Sequence, residues 1–134
     1  MTNQRDVFLK EFRGQTIGTV SGQSSSEELF QNEVLRPILK LQNDLFLASF
    51  INHLAKNKID FKTISIEKKF AIIENAIQKD IKFRNALKGM ILGLFTLEEY
   101  SSYIKNSSNL NKRMMNMLIE RLKSQVQLLD FDSI

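Results

Sequence analysis

Apolar residues recur at helical spacing along almost the whole chain, and the polar positions between them mark where one helix stops and the next begins. Val7, Phe8, Leu9 and Phe12 predict a short helix over Asp6 to Arg13. It ends in the Gly-, Ser- and Thr-rich stretch GQTIGTVSGQSSS. The β-branched Thr16, Ile17, Thr19 and Val20 make that stretch a candidate edge strand. Ser25 followed by Glu28 has capping-box spacing and opens a second helix, expected from about Ser26 to Lys56. Pro37 interrupts it, predicting a kink or two helices with the proline near the start of the second. Beyond Pro37, Ile38, Leu39, Leu41, Leu45, Phe46 and Phe50 point in nearly every direction, as in a helix surrounded by others.

Ser65 caps the third predicted helix, whose stripe is Ile66, Phe70, Ile73 and Ile77. Phe83, Leu87, Met90 and Leu94 form a second stripe, displaced by roughly 110° on a continuous wheel. A break at Lys79 and Asp80, with Asp80 capping a fourth helix, removes the mismatch. Thr96 and Glu99 form a capping box, and Phe95 with Tyr100 has the spacing of a hydrophobic staple. NSSN, at Asn106 to Asn109, separates that fifth helix from a sixth that is expected to run to about Asp130.

The sixth helix carries apolar residues around roughly 200° of its circumference, against roughly 100° for an ordinary amphipathic helix. Met115, Ile119, Leu122, Val126 and Leu129 alternate spacings of four and three, a heptad seam over two heptads. This predicts a homodimer paired through that seam. The fold class is all-α: a single-domain bundle of five to six helices over residues 26–134. Residues 1–25 precede it as a short helix and a flexible Gly/Ser-rich arm.

Composition narrows the function classes. The 134 residues suffice for one domain, and 43% hydrophobic content with ten Phe supplies one core. Cysteine is absent, which removes disulfides, thiolate nucleophiles and thiolate metal sites. Charged residues interrupt every apolar run before it reaches the roughly 20 residues of a membrane span. With no signal pattern at the start, the expected location is the cytoplasm and no membrane partner is expected. The net charge is +4, with the basic excess in residues 61–125. Lys68, Lys69, Lys82, Arg84, Lys88, Lys112 and Arg113 are therefore the residues a nucleic-acid binder would use.

Candidate chemistry is sparse. His53 is the only histidine, with no carboxylate within one helical turn, which points to a helix-end residue rather than an acid, base or metal ligand. No phosphate-cradling or nucleophile motif occurs, and no cofactor, metal or catalytic residue is expected. Asn85, Gly89 and Gly93 fall at i, i+4 and i+8, a side-chain-poor strip that predicts a close approach to the backbone there. With Arg84, Lys88 and Arg121 they compose a candidate groove for a small anionic ligand. Arg121 projects from the apolar arc, which implies an ion pair with an acid such as Asp44, Glu98 or Glu99, a side chain that snorkels to water, or an anion anchor inside a pocket.

The stretches FQNEVLRPILKLQNDLFLA, IQKDIKFRNALKGMILGLFTLEEY and NSSNLNKRMMNMLIERLKSQ resemble a small family of uncharacterised all-helical bacterial proteins over about residues 30–128. Some members of that family carry the label glyoxalase. The resemblance implies a helical bundle and transfers no site residue. Glyoxalases of the βαβββ type need strands with His and Glu metal ligands, and those of the metallo-hydrolase type need clustered histidines. One histidine and no clear sheet supply neither. The expectation is a helical binding or scaffolding protein acting through protein contacts, self-association first among them. A nucleic-acid-binding regulator and a small-anion binder or enzyme are the alternatives.

Overall fold

The computed structural model describes residues 3–14 and 25–129, and these hold helices and turns with no strand. The edge strand expected at Thr16 to Val20 lies outside the described residues. Helix α1 (Gln4–Arg13) begins where the Asn3 side chain accepts the Asp6 N–H at 2.7 Å. It stops at Gly14, whose φ of +79° is a conformation that glycine adopts without steric cost.

From Ser26 the backbone is helical without a gap to Leu41, as α2 (Ser26–Phe30), a π-helical turn (Gln31–Leu35) and α3 (Arg36–Leu41). Ser25 caps this run by accepting the Glu28 N–H at 3.1 Å. Pro37 explains the π turn. Its ring crowds the Glu33 carbonyl and it has no N–H to give, so a regular turn would clash. In the widened turn the Arg36 N–H reaches back five residues to the Gln31 carbonyl, and Pro37 lies buried in the first turn of α3. Pro37 thus stands near the start of α3, one of the two arrangements expected, and a further interruption comes at Gln42, with φ −90° and ψ 6°. Helix α4 (Asn43–Lys56) starts just beyond. The single surrounded core helix expected after Pro37 is thus two helices. Helix α4 buries Phe46, Phe50 and Leu54 along one face and leaves Leu45 exposed.

Helix α5 (Ile66–Lys79) is capped by Ser65, and Asp80 both ends it and caps α6 (Ile81–Leu92) by accepting the Phe83 N–H at 3.1 Å. Helix α7 (Leu97–Ile104) has the full Thr96/Glu99 capping box. Phe95 is met edge-on by Tyr103, at 5.6 Å, and by Phe30, at 5.5 Å, while Tyr100 stays exposed. Helix α8 (Ser107–Ser124) stops short of its expected length, giving way to a tight 3₁₀ turn at Val126–Leu129. With α2, the π turn and α3 counted as one, the described residues form seven α-helical runs rather than five or six, besides 3₁₀ turns at Phe61–Thr63 and Val126–Leu129.

The chain folds as two compact units: Met1–Gln42 with Lys88–Met114, and Asn43–Leu87 with Met115–Ile134. In the first, Leu35, Ile38, Leu39, Ile91 and Phe95 are buried; in the second, Phe46, Phe50, Ile73, Ile77 and Leu118. Helix α1, expected to belong to an arm, is part of the first unit and buries Leu9. The heptad positions Met115, Ile119, Leu122 and Leu129 are buried within one chain, and Val126 is half-buried. Asp80→Ala should lower stability in urea unfolding by about 1 kcal/mol, the usual worth of a side-chain N-cap.

Candidate functional site

In the first unit, α1 is attached by its charged edge. Arg5 Nη2 donates to the Gly93 carbonyl at 3.0 Å, and Arg5 Nη1 pairs with Asp6 Oδ1 at 3.1 Å. The other Asp6 oxygen accepts the Leu97 N–H at 3.0 Å, one of the donors that the first turn of α7 leaves without a helical partner. At the far end of α1, Arg13 donates to the Leu94 carbonyl at 3.0 Å and forms a two-pronged ion pair with Glu99, at 2.5 and 2.6 Å.

Glu99 is shared. While one oxygen takes Arg13 Nη1 it also accepts the Thr96 N–H at 2.8 Å, and the Thr96 hydroxyl accepts the Glu99 N–H at 3.1 Å. The side chains of Arg13 and Glu99 are only 6% and 13% exposed. Burial pushes the Glu99 carboxyl up, but the hydrogen bonds from Arg13 and Thr96 outweigh it and hold the group below its ordinary range.

This attachment turns the aromatic edge of α1 outward. Phe8 and Phe12 are 60% and 54% exposed and stack on each other at 5.4 Å, and Val7 is exposed as well. On α7, Leu97 (59% exposed), Tyr100 and Ile104 (55%) form an open strip at i, i+3 and i+7. A groove of about 390 Å³ runs beside it, lined by Arg5, Leu92, Phe95, Leu97 and Tyr100.

A second hollow, of about 480 Å³, opens beside the Arg13–Glu99 pair. Leu29, Phe30 and Val34 supply an apolar wall from α2 and the π turn, and Lys10, Glu33 and Glu98 line it with charge. The wall is pinned by Glu27, which accepts from Asn106 Nδ2 at 2.8 Å and lies 3.4 Å from Arg113 Nε; Arg113 also donates to Gln31 Oε1 at 2.8 Å.

The residues of the expected anion groove divide between the units. Arg84, Asn85 and Arg121 belong to the second; Lys88, Gly89 and Gly93 belong to the first. The close approach expected at Gly89 is not found, since a Cβ there would meet nothing within 4 Å. At Gly93 a Cβ would stand 3.1 Å from the Gly89 carbonyl, a contact within the chain's own turn. Arg84 donates to the Gln78 carbonyl at 3.4 Å. Arg121 has no carboxylate partner among the described residues. Its Nη1 donates to Asn43 Oδ1 at 3.3 Å, within an amide cluster in which Asn43 and Gln125 bond each other at 2.7 and 2.8 Å.

His53, also in the second unit, is half-buried and stacks on Phe83, with ring centroids 4.2 Å apart and planes 19° from parallel. Burial lowers its pKa, with Asp80 opposing that shift and Lys56 adding to it. Lys123 pairs with Glu74 and lies over the Phe70 ring. Among the described residues no three His, Cys, Asp or Glu side chains come together as a metal site, and no helix is long and apolar enough to cross a membrane.

No protein-family model, curated protein or solved structure matches the chain. The Arg13–Glu99 pair therefore rests on its own geometry. Only half of it was visible beforehand, because the capping box marks Glu99 whereas nothing local to Arg13 announces a partner 86 residues away.

Arg13→Met should cost about 3 kcal/mol in denaturant unfolding, because it leaves a largely buried carboxylate without its cation. Arg13→Met with Glu99→Gln should recover part of that loss. The Glu99 contribution is complete above the ordinary carboxylate range and disappears as pH falls through its lowered value. His53 acts at higher pH: the unfolded chain binds its proton more tightly than the folded one. Stability should therefore decline as pH is lowered from about 7 towards 5, and His53→Gln should remove that slope.

Proposed function

We propose that this chain works by protein–protein contact, self-association first, through the apolar surface that α1 and α7 leave open in the first unit. The supporting observation is the orientation of α1. A surface helix ordinarily turns its aromatic residues inward and its charges to water. Here Arg5, Asp6 and Arg13 bond inward, while Phe8 and Phe12 face solvent. At roughly 25 cal/mol per Å², a partner that covers those rings gains substantially without disturbing the bonds beneath.

A second copy is the occupant that suits this surface. Leu97, Tyr100 and Ile104 have the i, i+3, i+7 spacing of a helix-pairing seam, and a two-fold axis lays such a seam against itself. The exposed Lys10 and Glu11 on α1 and Lys105 after α7 carry both signs, so two like surfaces meet without a block of like charge. The seam expected at Met115, Ile119, Leu122, Val126 and Leu129 is largely covered within the chain, which moves the proposed dimer contact to α1 and α7.

Sedimentation equilibrium at about 50 µM should show a dimer, and Phe8→Ser with Phe12→Ser should weaken it at least tenfold. The helical circular dichroism should stay unchanged, because both rings are already more than half exposed. A wild-type chain that is strictly monomeric across that range would overturn the self-association reading.

A further inference from the structure

We infer that the hollow beside the Arg13–Glu99 pair binds a cationic group on an aliphatic stem, a guanidinium or an alkylammonium, with Glu33 and Glu98 as its charge partners. This site lies in the first unit and shares Lys10 with the proposed self-association surface, but Phe8, Phe12, Leu97, Tyr100 and Ile104 do not line it. Its volume of about 480 Å³ falls within the range of small-ligand sites.

The sign of the ligand follows from which charges are spent. Arg13 and Glu99 neutralise each other, so the buried Arg13 Nε, which has no hydrogen-bond partner among the described residues, brings no net charge to the hollow. That leaves two carboxylates, Glu33 and Glu98, against one ammonium, Lys10. Both carboxylates are exposed, and neither has an ion-pair or hydrogen-bond partner among the described residues. An anion entering here would meet more like charge than opposite charge; a cation would find two free acceptors.

The neutral groups agree with that sign. Thr96 and Glu99, which also line the hollow, are already bonded to each other, and Glu99 to Arg13, so they offer a ligand no free charge. The hydroxyls of Ser26 and Ser102 add further acceptor capacity. Leu29, Phe30 and Val34 offer an apolar wall for methylene groups, which is how long cationic side chains bury their stems while keeping their charge hydrated. Glu33 and Val34 both lie in the π turn, a feature often found at functional sites.

The test is an amide ¹H–¹⁵N titration of the full chain with N-acetyl-arginine N-methylamide. The uncharged citrulline counterpart and 1,5-diaminopentane serve as parallel probes. Shifts should centre on Leu29 to Val34 and on Ser102. The citrulline compound should bind at least tenfold more weakly, and Glu33→Gln with Glu98→Gln should lose at least tenfold affinity while the rest of the spectrum superimposes. Response to the arginine probe alone would support a basic side chain of another polypeptide as the source, and response to the diamine alone would support a free polyamine. Equal binding of citrulline, full affinity in the Gln variant, or no shifts by about 20 mM of either cation would overturn the inference. Phe8→Ser with Phe12→Ser should leave the titration unchanged, so failure of the self-association proposal and failure of this one read out separately.

Discussion

A carboxylate taken almost out of water must be met by donors, and in the first unit that requirement at Glu99 determines where α1 lies. The α7 cap consumes one Glu99 oxygen through the Thr96 N–H, and Arg13 holds both oxygens in the fork geometry that a guanidinium provides. With Arg13 fixed at one end of α1 and Asp6 fixed to the Leu97 N–H near the other, the helix has little freedom to roll. Its one buried apolar residue is Leu9. The exposure of Phe8 and Phe12 is therefore a consequence of the polar contacts beneath them.

The π turn is the second constraint. A proline inside a helical run ordinarily breaks or kinks it. Here one widened turn absorbs the misfit, and the backbone continues through Arg36 with Pro37 buried. The widening places Glu33 and Val34 on the wall of the hollow that Arg13 and Glu99 also line. The acidic residues of this site thus have unlike roles: Glu99 is held by bonds that define the fold, whereas Glu33 and Glu98 remain free for a ligand.

Local signals were legible wherever neighbours in sequence satisfy one another. Ser25, Ser65, Asp80 and Thr96 cap the helices that their spacing predicts, because an N-cap needs only an oxygen and an N–H two or three residues on. The misplaced features depend on packing beyond a single helical turn. Phe95 meets Tyr103 rather than completing a staple with Tyr100, and Arg121 finds the amide of Asn43 rather than an acid.

The chain's own pattern determined that it would be all-helical, where most helices start, and that it carries more apolar surface than one helical stripe requires, because periodicity and capping act over a few residues. Which apolar surface is covered was decided only by the tertiary structure. The α8 residues that looked most in need of a second chain, Met115, Ile119 and Leu122, are buried by this one, whereas the modest α1 and α7 strips are left open. The reason is physical: burial depends on what packs against a helix. For α1 that was set by ion pairs and hydrogen bonds to residues more than eighty positions away, which no local pattern encodes.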